Sequence, residues 1–211
     1  MDVRGVAPRT PGNDVVEQAG NDLLSRWSEP ARRYHTTTHL VEMFWALEEL
    51  EEGHEIDDRQ GSLARLAAWF HDAIYDPSAM PGSNEADSAT LARKTLRELT
   101  ISDRDVDAVD RLVRLTARHD ADAAEPLDAA FHDADLWILS APDERFDEYC
   151  DQVRQEYAHV PDARYRNARA AILMPLLHRD RIYRTSHALH GWETPARINL
   201  GRELTRLRVS S

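Results

Sequence analysis

The chain has 211 residues, 42% of them hydrophobic, and carries 38 acidic against 26 basic side chains, for a formal net charge of -12. That length supports one domain with a sizeable core, while the acidic balance argues against duplex nucleic-acid binding, which runs on clustered positive charge. A small anionic substrate stays compatible, because a cation and a few arginines can override the global field locally. The single cysteine, Cys150, excludes a disulfide within the chain, and nothing around it favours a reactive thiolate.

Residues 1–13 hold Gly5, Pro8, Pro11 and Gly12 and read as a flexible segment. They contain no apolar run of signal-peptide type, and no later run reaches membrane-spanning length, so a cytoplasmic protein without a membrane partner is expected. From there the apolar spacing is helical nearly throughout. It predicts helices over 14–27, 37–52, 58–75, 84–99, 103–119, 125–140, 142–159, 162–179 and 194–208. Asp57 and Ser102 stand where N-caps belong, and Thr194-Pro195 has the form of an N-cap followed by proline at the first helical position. The expected architecture is all-α: a single-domain bundle over 14–211 with a cavity between helices, a usual place for a metal site.

Candidate functional residues appear in the same order. His35 and His39 are four apart, so on a helix or its first turn they share a face. Such a pair can be capping or surface histidines. The neighbouring Arg32, Arg33 and Tyr34 favour function, because they set anion-binding donors beside a proton-transfer group. His71-Asp72 lies within Leu66-Ala67-Ala68-Trp69-Phe70-His71-Asp72-Ala73-Ile74-Tyr75. An imidazole and a carboxylate are costly to bury without a partner, and a divalent cation suits both. The breaker-rich loop 76–83 follows at once and should lie near the mouth of any site. Glu85 comes next, either as a first-turn acid favoured by the helix dipole or as a group that orients water. His119 ends a predicted helix, as a C-terminal cation or as an accessory metal or phosphate ligand.

On the helix 125–140, Leu127, Ala130, Phe131, Ala134 and Ile138 form one apolar stripe. Asp135 projects within about 60° of the middle of that stripe, and Asp133 projects to its far side. Asp135 is therefore the ligand candidate, and Asp133 is expected to be solvated or to stand behind a ligand. Another His-Asp dipeptide, His132-Asp133, lies off the stripe and is set aside as the metal pair.

The ordered set His39, His71-Asp72 and Asp135 resembles the HD superfamily of metal-dependent phosphohydrolases, most closely a small group of predicted HD phosphohydrolases. The likeness runs through Arg32 to His39, Trp69 to Pro77, Asn84-Glu85, Asp133 to Leu136, Tyr165, Arg169, Ile182-Tyr183, Ala196-Arg197 and Asn199-Leu200. It implies an HD-type helical bundle holding Mn, Fe, Co, Ni or Mg on His39, His71, Asp72 and Asp135. It also implies a nucleotide or other small phosphorylated metabolite as substrate. His35, Asp72 and Glu85 are then the candidate catalytic residues, and Arg32, His119 and Arg169 the candidate phosphate contacts. Tyr34-His35-x-x-x-His39 is also similar to a segment of cyclic-nucleotide phosphodiesterases, whose first histidine protonates the leaving group. This chain has Thr36 where those enzymes usually carry Asn. Two alternatives stay open: a metal-stabilised binding or signalling module without turnover, and an HD-type di-iron oxygenase recruiting His119.

Overall fold

A computed structural model of the chain describes residues 12–118 and 125–209. The described residues form ten α-helices and one 3-10 turn, with no strand among them. The helices are α1 (Asn13–Trp27), α2 (Thr37–Glu52), α3 (Asp58–His71), α4 (Ser83–Glu98), α5 (Asp103–Leu115), α6 (Pro126–Asp135), α7 (Asp143–Glu156), α8 (Asp162–His178), α9 (Ser186–Gly191) and α10 (Glu193–Val209). The 3-10 turn, Trp137–Ser140, lies between α6 and α7. The all-helical bundle read from periodicity is therefore the architecture. Among the described residues no helix is long and apolar enough to cross a membrane.

Local signals set most helix starts. Asp57 caps α3 by accepting from the Gln60 N–H, and the Gln60 side chain accepts in return from the Asp57 N–H, a full capping box. Ser102 caps α5 and Thr36 caps α2. Thr194 does not cap α10. That helix begins one residue earlier, and the Glu193 carboxylate accepts the N–H groups of Ile182 and Tyr183 instead. The stretch before it, which reads as irregular, contains α9, capped by the Thr185 hydroxyl.

Several predicted helices run too far: 103–119 ends at Leu115 and 142–159 at Glu156, and two further overruns bear on the site. The expected helix 58–75 stops at His71 because its last carbonyls find other donors. Ala68 O accepts from the His71 ring, Trp69 O from the Trp27 indole, and Phe70 O from the Ala73 N–H. The expected helix 125–140 breaks at Leu136 and tightens into the 3-10 turn. The Tyr183 hydroxyl donates to Leu136 O, and the Asn199 side-chain amide donates to Leu139 O and Ala141 O. A 3-10 turn keeps i,i+3 neighbours aligned, so the apolar stripe continues through the break and hides it.

Helices α2, α3 and α6 pack on one another, with α4 and α5 against α3. Trp27, Met43, Leu47, Phe70, Phe131, Phe146 and Tyr183 are fully buried between the layers. Each such side chain contributes roughly 1.5–3 kcal/mol through removal of apolar area from water. This packing fixes the ends of α2, α3 and α6 close together, and the candidate site sits where they meet.

Candidate metal centre

His39 lies in the first turn of α2. His71 is the last residue of α3, Asp72 is its C-cap, and Asp135 is the last residue of α6. The structure brings all four together. The two imidazole Nε2 atoms are 3.1 Å apart. Asp72 Oδ2 lies 3.0 Å from His71 Nε2 and 3.7 Å from His39 Nε2. Asp135 Oδ1 approaches the same two nitrogens at 3.4 and 3.5 Å. Donor atoms bonded at about 2.1 Å to one cation, at right or tetrahedral angles, stand roughly 3.0–3.4 Å apart. The spacing of His39, His71 and Asp72 fits a shared ion, and Asp135 approaches that trio on the side of the two imidazoles.

The protonation chemistry points the same way. His71 Nδ1 is 2.8 Å from the Ala68 carbonyl, which can only accept, so Nδ1 carries the proton and Nε2 offers its lone pair when the ring is neutral. His39 Nδ1 is held at 3.0 Å by the Tyr34 hydroxyl, which leaves its Nε2 facing the cluster. Both carboxylates also sit at helix C-termini, the negative ends of their dipoles. The neighbourhood is rich in electron pairs and calls for positive charge. Burial opposes a charged His71 ring, but the charge and hydrogen bond of Asp72, with Asp135 behind it, outweigh burial and raise the ring's pKa to about 9. For Asp72, burial pushes the carboxyl up, yet His71, His35 and His39 together hold it far below the usual carboxylate range.

Aromatic rings enclose the cluster. Trp27 lies 5.4 Å, centre to centre, from His71, Tyr34 lies 4.7 Å from His39, and Phe131 stands edge-on to His71 at 6.3 Å. They hold the imidazole rotamers and shed water. The carboxylates keep partial access, at 15% exposure for Asp72 and 11% for Asp135.

His35 stands just outside α2, with Nε2 4.0 Å from Asp72 Oδ2. Its ring stacks on Tyr75 at 4.0 Å. Its Nδ1 is 2.7 Å from Glu156 Oε2, which also accepts from the Tyr75 hydroxyl. Glu156 Oε1 takes the backbone N–H groups of Arg33, Tyr34 and His35 at 2.8, 2.9 and 3.0 Å. Burial raises Glu156, but the hydrogen bond and charge of His35 together with these amides hold its pKa near about 2. The sequence reading does not single out Glu156. A signal was present: Phe146, Tyr149, Cys150 and Val153 form the buried stripe of α7, and Glu156 lies on it.

Arg32 occupies a different place from the expected phosphate contact. It is buried, and its guanidinium donates to the carbonyls of His35, Asp72 and Ala73 and to Glu29. It also lies against the faces of Trp27 and Tyr75. Arg32 thus staples the His35 segment to the end of α3.

Glu85, in the first turn of α4, is near enough to Asp72 and Asp135 for their charges, together with burial, to raise its pKa. Its Oε2 is buried without a hydrogen-bond partner. Asn84 fixes the approach by exchanging hydrogen bonds with the backbone of Asp76. Arg169 does not join the cluster and lines a neighbouring cleft with His35. His119 lies outside the described residues.

His132-Asp133 corrects an expectation. Asp133 is fully buried rather than solvated. It accepts from the Arg184 and Thr185 N–H groups, the Thr185 hydroxyl and His132 Nδ1. The far side of α6 is covered by the 182–185 segment, about fifty residues downstream, which periodicity along α6 cannot register. The pair stays apart from the metal cluster, as expected, but as an internal anchor. The chain matches no family model, no curated protein and no solved structure.

Proposed function

We propose that the chain is a metal-dependent phosphohydrolase of the HD type that cleaves a phosphate ester of a nucleotide or another small phosphorylated metabolite. One observation carries this reading: two imidazole nitrogens and an Asp72 oxygen lie 3.0–3.7 Å apart, Asp135 Oδ1 stands 3.4 and 3.5 Å from both nitrogens, and a third histidine is 4.0 Å from Asp72. The ordered likeness to the HD superfamily supports the same reading.

His39, His71, Asp72 and Asp135 would hold the ion, and their mixed nitrogen and oxygen donors suit Mn, Fe, Co, Ni or Mg. When bound, such a cation acidifies water and polarises a phosphoryl oxygen. His35 is placed to protonate the leaving oxygen from Nε2, with Glu156 keeping the proton on Nδ1 and fixing the ring plane. Hydrolysis breaks the P–O bond to the leaving group, water supplies the oxygen that joins phosphorus, and a proton from that water restores His35. The Glu85 Oε2 atom, buried and without a partner, is positioned to accept that proton on its way. Arg32 acts through the backbone, holding His35 and Asp72 in register. Chelator-treated protein should neither release phosphate from phosphomonoesters nor cleave phosphodiesters to a monoester and an alcohol, and Mn²⁺ or Co²⁺ should restore turnover. Equal activity in chelator would refute the reading.

A further inference from the structure

His35 belongs to two places at once. Its Nε2 faces Asp72, and its ring also lines a cleft of about 170 Å³ with Tyr149, Val153, Tyr165, Arg169 and Ile172. None of His39, His71, Asp72 and Asp135 lines that cleft. His35 is thus a wall shared by the cluster and the cleft.

The cleft carries unsatisfied donors. Arg169 is 9% exposed, donates from Nη2 to the Tyr149 hydroxyl and lies 5.0 Å from the centre of that ring. Its Nε has no acceptor, and the hydroxyl of buried Tyr165 has no partner either. Tyr149, Tyr165 and Cys150 act most strongly on Arg169, and the buried Glu203 carboxylate lies beside the same three groups and faces Arg206 at 3.9 Å. A buried donor left without an acceptor loses its full solvation. Two such donors, one of them on a guanidinium, are the mark of a site built for a ligand that brings acceptors and negative charge. The volume limits its size, since pockets for drug-sized molecules run to about 300–1,000 Å³.

We propose that this cleft is the leaving-group subsite and that it selects a small leaving group ending in a compact anion, a carboxylate or a second phosphate, held by Arg169 Nε and the Tyr165 hydroxyl. The term leaving group rests on the hydrolase reading; the anion rests on the two buried donors. The favoured substrate is then a phosphate ester of a small hydroxy acid or a small bisphosphate, with one end on the metal cluster and the other on Arg169.

Binding can be read without metal or turnover. The full chain, ¹⁵N-labelled and chelator-treated, is titrated with sodium phosphate and separately with sodium propionate, against sodium chloride at matched ionic strength. One arginine Nε–H resonance, identified by its loss in Arg169→Lys, should move saturably with at least one of the two anions. The anion that binds more tightly identifies the end group. Tyr165→Phe, which keeps the ring, should weaken binding about tenfold. A resonance unmoved by either anion, or unchanged affinity in Tyr165→Phe, would overturn the subsite. Metal-dependent phosphate release by the unmodified chain is measured apart from this, so the subsite and the hydrolase reading can fail separately.

Discussion

Among the described residues there are two His-Asp dipeptides, His71-Asp72 and His132-Asp133, and their surroundings differ in kind. At His132-Asp133 every neighbour of the carboxylate is a donor: two backbone N–H groups, a hydroxyl and an imidazole. The charge is satisfied where it lies. At His71-Asp72 the neighbours are another imidazole lone pair and a second carboxylate, gathered at two helix C-termini. That cluster is satisfied only by added positive charge. A buried polar pair therefore marks a site when its partners compete for the same missing cation, and marks a structural anchor when they complete it.

The contrast can be broken by substitution. The largest expected effect is at the anchor. Asp133→Ala leaves buried N–H groups and a hydroxyl unpaired and should cost about 3–5 kcal/mol of stability, read by chemical denaturation. Asp72→Asn removes the charge that holds the His71 proton and so costs the metal-free protein some stability at neutral pH, but it leaves no buried N–H or hydroxyl unpaired, so it should cost less than Asp133→Ala while abolishing metal uptake. If Asp72→Asn destabilised the metal-free chain as much as Asp133→Ala, the contrast would fail.

Arg32→Ala comes next. It uncaps the carbonyls of His35, Asp72 and Ala73 and should lower stability by about 2–3 kcal/mol. A rise in KM with intact stability would return Arg32 to the expected phosphate role.

The smallest and most selective effect belongs to Glu156. Its folded pKa of about 2 lies below the ordinary value of about 4.3. Its contribution is therefore present above pH 4.3 and is lost as pH falls toward 2. The unmodified chain should lose its stability advantage over Glu156→Gln across that window. At neutral pH the same variant should lower kcat more than it raises KM, because His35 loses its orienting charge.

Much of this was legible in the sequence, and the exceptions share a cause. Helical spacing found the bundle, and the angle of Asp135 on its stripe separated it from Asp133. The same rule applied to α7 would have found Glu156. The sequence hid what depends on distant backbone: Arg32 binds carbonyls some forty residues away, and Asp133 is covered by amides about fifty residues on. Side-chain periodicity carries no record of which main-chain groups lack partners. It also passes through the turn at Leu136 unchanged, because a 3-10 turn preserves the i,i+3 neighbours.

The most direct measurement is titration of chelator-treated protein with Co²⁺, followed by its absorption spectrum and by calorimetry. The account predicts saturable uptake at a His/carboxylate site, lost in His71→Ala and weakened by about 10–100-fold in Asp135→Asn. Absence of saturable uptake, or uptake indifferent to both substitutions, would contradict it.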